Sequence, residues 1–111
     1  MADPLCEHAF VSIKGGPYSR FRRALDIGRL QLVLGAAAEL PRLELPDALE
    51  VLVLMADQAP ERYPRAAVRW LGRLAVERPG LTLAELRLAV AACELLPERG
   101  EVVAVLRRLA A

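Results

Sequence analysis

Arg65, Arg69 and Arg73 recur at four-residue intervals, with Arg62 and Arg78 to either side and Trp70 among them. On a helix this spacing places the three guanidinium groups within about 80° of one another. Each is a planar fork of N–H donors that suits a carboxylate or a phosphate. The stripe is therefore a candidate anion-binding face. Like charges four residues apart destabilise a helix by about 0.2–0.5 kcal/mol per pair, and Arg65–Arg69 and Arg69–Arg73 are two such pairs. Glu77, four residues after Arg73, relieves one end only. The compensation can come from the chain's own acidic stretch (Glu44, Asp47 and Glu50), from an acidic surface on another protein or a second copy, or from phosphate. Alternatively, the stripe is the solvated side of an ordinary amphipathic helix, whose small penalty a packed domain absorbs. Trp70 falls at the border of the face, where its ring packs inward and its N–H is expected to stay in water.

A second basic cluster, Arg20, Arg22 and Arg23, follows Gly15 and Gly16. It lacks the spacing of a phosphate-binding glycine loop. It reads as the entry to a first helix. A DNA-reading helix-turn-helix is also disfavoured, because the fourth and fifth helices have a tight enough turn but the second of them, "LAELRLAVAACEL", offers a single cation, Arg87.

Other reactive residues are sparse. His8 is the only histidine, and "CEH" at 6–8 offers a thiol, a carboxylate and an imidazole. A structural zinc site needs four well-placed ligands, and Cys93 would have to leave the apolar side of its helix to join them. Ser12 and Ser19 are not in a nucleophile-elbow context. These residues imply no enzyme, metal or cofactor and no small-molecule substrate. Cys93 is expected to be a buried free thiol.

The elements that must position the stripe follow from composition and pattern. The 111 residues suit one domain, and a 55% hydrophobic content with 5% aromatics implies a core of Leu, Val and Ala, which favours packed helices. Fourteen arginines stand against one lysine, with no asparagine, a bias that resembles GC-rich bacterial coding. Net charge is +1, so bulk charge does not make the chain a polyanion binder. Charge is instead zoned: 39–59 is acidic and 60–80 is basic. Asp3 and Glu7 stand where a secretory leader carries cations, and no apolar run of about 18 residues is present to span a membrane. A cytoplasmic location is expected.

Residues 1–18 read as an N-terminal arm, extended around "AFVSI" (9–13), with a Gly-Gly-Pro hinge; 19–111 read as a single helical domain. Ser19 is expected to cap a first helix over 20–27, ended by Gly28. A second spans 29–40, and its Gly35 and Ala36–Ala38 leave a small-residue surface. A third, 47–58, opens at Pro46 and is apolar on most sides, which makes it central; its 51–55 run alone would also fit a strand. The fourth spans 64–77. Thr82 and Glu85 form a capping-box signature for a fifth reaching about Leu96, with a stripe of Leu86, Ala89, Val90, Cys93 and Leu96. A sixth lies within 98–111. "LPRLELPDAL" (40–49) echoes "RPGLTLAELR" (78–87) at a shift of 38 residues. Both read as a helix end, an L-x-L linker and a new helix start. The expected fold is all-α: about six short helices packed as antiparallel αα-hairpins, a bundle or short repeat-like stack, with an extended N-terminal arm. The functional expectation is a small non-enzymatic protein-interaction module, a homodimer or an adaptor or regulator of another protein. The alternative is a nucleic-acid-binding accessory protein that uses the arginine stripe.

Overall fold

The structure, a computed structural model, describes residues 16–111. The expected extended arm, together with Cys6, Glu7 and His8, lies outside the described residues. Among them there are six α-helices, one short 3-10 turn and no strand. We number the helices α1 (Pro17–Ile27), α2 (Leu30–Ala37), α3 (Leu45–Gln58), α4 (Tyr63–Glu77), α5 (Leu83–Leu95) and α6 (Val103–Ala110). The chain divides into two compact units, one ending at Arg42 and one beginning at Leu43.

The first unit is a helix pair. α1 starts earlier than expected. Gly16, in extended backbone, takes the N-cap position, and Pro17 opens the helix. Ser19, the expected cap, lies inside the first turn. Proline pre-sets φ and has no N–H to orphan, so it fixes the start more firmly than a serine two residues on. Gly28 ends the helix at φ 80°, a left-handed conformation in which its N–H reaches the Ala24 carbonyl. α1 packs on α2, and Arg20 reaches Glu39 at 2.9 Å, which sets the two antiparallel. α2 stops at Ala37, not at 40. The last residues tighten into i→i+3 turns, with Glu39 and Leu40 donating to Ala36 and Ala37. Gly35 is exposed, and a Cβ there would meet nothing within 4 Å, so Gly35 itself serves no close helix approach among the described residues.

The second unit is a ring of helices. α3 packs against α4 and α6, and α5 packs against the same two. The ambiguous 51–55 run is helical, as its neighbours require. Leu45, Leu49, Val51, Leu52, Met55 and Ala56 are all buried, because α3 has neighbours on two sides. Leu49 of α3, Leu74 of α4 and Leu106 of α6 have no exposed surface. The capping box on α5 is formed as expected, with both Thr82–Glu85 bonds present. α3 and α5 begin at Leu45 and Leu83, which reproduces the 38-residue shift of the sequence echo. The expected stripe of α5 is corrected at one position. Val90 is exposed and Ala92 is buried in its place, beside Ala89, Cys93 and Leu96. Small residues on that line let α4 and α6 approach closely.

Candidate interaction site on helix α4

α4 is positioned by two side chains that reach back to the segment before α3. Trp70 is 3% exposed, and its Nε1 donates to the Leu45 carbonyl at 3.1 Å. The expected wet N–H is therefore buried and satisfied. Indole burial is large and its N–H needs a partner. A carbonyl in the first turn of α3 provides one. One turn later Arg73 donates to the Leu43 carbonyl at 2.7 Å and to Glu77 at 2.8 Å. These two contacts fix the register of α4 against the L-x-L linker.

The opposite end of α4 is held by Tyr63. Its hydroxyl donates to the Cys93 carbonyl at 2.7 Å, in a buried contact. In a helix that carbonyl would accept from the N–H four residues on. That residue is Pro97, which has none. The phenol thus satisfies a carbonyl that the sequence of α5 leaves open. Burial, and then the neighbouring Cys93, push the Tyr63 pKa well above its ordinary value. Burial also raises the pKa of the Cys93 thiol.

These anchors divide the arginine stripe. Arg73 is half-buried and engaged by the fold. Arg62, Arg65 and Arg69 are exposed, and their guanidinium groups make no ion pair or hydrogen bond with any described residue. The acidic stretch that could have neutralised the stripe is not there. Glu50 instead binds Arg107 of α6 through two bonds, at 3.0 and 3.2 Å. That contact also holds the Arg107 guanidinium above its usual pKa, chiefly through the Glu50 hydrogen bond.

The exposed arginines border two small hollows between α3 and α4. One hollow, about 300 Å³, is lined by Met55 with Arg62, Arg65, Arg69 and Glu61. A second, about 170 Å³, has Ala48, Val51, Leu52 and Met55 on the α3 side and Trp70 and Arg73 on the α4 side. Met55, Ala66 and Arg69 belong to both. The spacing of the arginines was legible in the sequence; the hollows beside them were not, because they depend on which face of α3 meets α4.

The second basic cluster lies in the first unit. Arg20 is paired with Glu39, Arg22 has a bonding or electrostatic partner, and Arg23 is exposed. It does not form a comparable row of free cations.

No family model matches the chain, and neither a curated protein nor a solved structure matches it. Among the described residues, no helix is long and apolar enough to cross a membrane.

Proposed function

We propose that the chain is a small, non-enzymatic protein-interaction module that docks its partner on the arginine edge of α4. The observation that supports this reading is the division of one stripe. Arg73 is bound by Leu43 and Glu77, whereas the guanidinium groups of Arg62, Arg65 and Arg69 stand exposed and unpaired around one hollow. Repulsion between Arg65 and Arg69 is a standing cost that the fold does not offset and that a carboxylate-bearing surface removes. Arginine and methionine are also enriched at protein interfaces. The cytoplasm is the setting we assign to this activity, and the role is that of an adaptor or regulator.

The nucleic-acid reading draws on the same three cations. Trp70 weakens it, since an indole that is 3% exposed offers no platform for a base to stack on. Affinity capture with the wild-type protein and with Arg65→Glu/Arg69→Glu tests the proposal. Partners held by the wild type and lost from the double variant support it. Equal capture by both proteins sinks it. Light scattering of the purified protein shows whether the partner is a second copy, and a titration with duplex DNA and RNA is expected to show no binding near physiological salt.

A further inference from the structure

We propose that α5 is a contact between two copies of this chain, packed antiparallel about a two-fold axis near the middle of the helix. The proposal goes beyond the arginine edge of α4 and does not depend on it.

α5 is apolar on two sides. Ala89, Ala92 and Cys93 form its buried line. Away from that line, Ala84, Leu88, Ala91 and Leu95 are exposed, the two leucines at 50% and 47%. These four stand at i, i+4, i+7 and i+11, the spacing of a coiled-coil seam. They therefore form one stripe along about 16 Å of helix. Leaving such a stripe in water forgoes the gain that covering it would bring.

Size and charge name what covers it. A two-fold contact brings the same patch together from each copy, so the patch must complement itself. Along this stripe small and large residues alternate. When two such helices run antiparallel, Leu88 meets the partner's Ala91 and Leu95 meets the partner's Ala84, and the symmetry repeats both contacts. Every layer then holds one leucine and one alanine. Run parallel, the helices would stack leucine on leucine and alanine on alanine, which packs unevenly. Arg87 and Glu94 border the stripe on one flank. Both are exposed, and their charged groups make no ion pair or hydrogen bond with any described residue. In the antiparallel pair, Arg87 lies about 3 Å along the helix axis from the partner's Glu94. The two-fold axis makes that contact twice. The helix of an unrelated protein need carry neither this alternation nor this order of charge; a second copy carries both.

Sedimentation equilibrium of the full chain over a wide concentration range tests the proposal. The wild type is expected to rise from the mass of one chain, 12.1 kDa, toward twice that mass. Arg87→Glu sets acid against acid across the contact, and Glu94→Arg sets base against base. Each variant alone should dissociate at least about tenfold more readily than the wild type. Mixed in equal amounts they should associate again, because every contact then joins opposite charges. The double swap Arg87→Glu/Glu94→Arg should dimerise like the wild type. Leu88→Gln/Leu95→Gln should be monomeric with unchanged helical circular dichroism, since both side chains lie on the exposed face. A wild type that keeps the mass of one chain at every concentration overturns the proposal. So does a dimer indifferent to Arg87→Glu, or a pair of single variants that do not recover on mixing. A dimer lost in Arg65→Glu/Arg69→Glu overturns the α5 contact and moves the second copy to the edge of α4. Capture of a partner that ignores Arg65 and Arg69, beside a dimer that follows the charge swap, removes that edge and keeps α5.

Discussion

Arg73 and Arg69 lie one turn apart on α4 and carry the same side chain, yet only Arg73 has bonds within the fold. Arg73→Ala leaves the half-buried Leu43 carbonyl without its charged donor. Allowing for partial exposure, the expected loss is about 1–2 kcal/mol in chemical denaturation. Arg69→Ala removes a repulsion and no bond, so it should be neutral or stabilising within about 0.5 kcal/mol. Tyr63 gives a second residue-level expectation. Tyr63→Phe deprives the Cys93 carbonyl of its donor and should cost about 1–2 kcal/mol. It should also change the response to alkali. The buried phenol keeps its proton where an unfolded tyrosine, with a pKa of about 10, loses it. The unfolded state then binds fewer protons, and stability falls as pH rises past that value. Cys93 acts in the same direction from about pH 8.5, where an unfolded thiol ionises. Stability is thus fully present below these values. Denaturation measured from pH 7 to 11 should show a shallower alkaline decline in Tyr63→Phe than in the wild type.

Elements were legible in the sequence wherever a local rule decided them. Thr82 and Glu85 announce the start of α5, and their two hydrogen bonds are formed at 3.1 and 2.9 Å. Thr82→Ala should lower stability by about 1 kcal/mol. Gly28 ends α1 because the chain there needs a positive φ. The start of α1 differs from the expected Ser19 cap because Pro17 opens the helix and does not only break the chain before it. The stripe of α5 was misread at Val90 because periodicity shows an apolar face but not how closely the neighbours approach. Trp70 was set at a wet border for a similar reason. Its acceptor, the Leu45 carbonyl, lies 25 residues away in sequence and becomes its neighbour only on folding. The signal for Tyr63 was present in Pro97, which removes the donor that Cys93 would otherwise use. Gly72 lies on the exposed side of α4, and a Cβ there meets nothing within 4 Å. Gly72→Ala should therefore stabilise the helix by about 0.5–1 kcal/mol, seen as a higher denaturation midpoint.

At the scale of the molecule, the ring formed by α3, α4, α5 and α6 is what separates structural from available charge. Glu50 is bonded to Arg107 and Glu77 to Arg73, so neither neutralises Arg65 or Arg69. What is left is a row of exposed cations, Arg62, Arg65 and Arg69, along one edge of α4. Neutralisation by the chain's own acidic stretch is one of the three compensations the sequence allows; of that stretch, Glu50 meets Arg107 of α6 instead. The unfolding free energy of Arg65→Glu/Arg69→Glu, measured beside the wild type and Arg73→Ala, tests this separation most directly. If Arg65 and Arg69 are held for a partner, the double reversal stays within about 0.5 kcal/mol of the wild type or exceeds it. A loss as large as that of Arg73→Ala would mean that these arginines serve the fold, and the docking edge would have no basis.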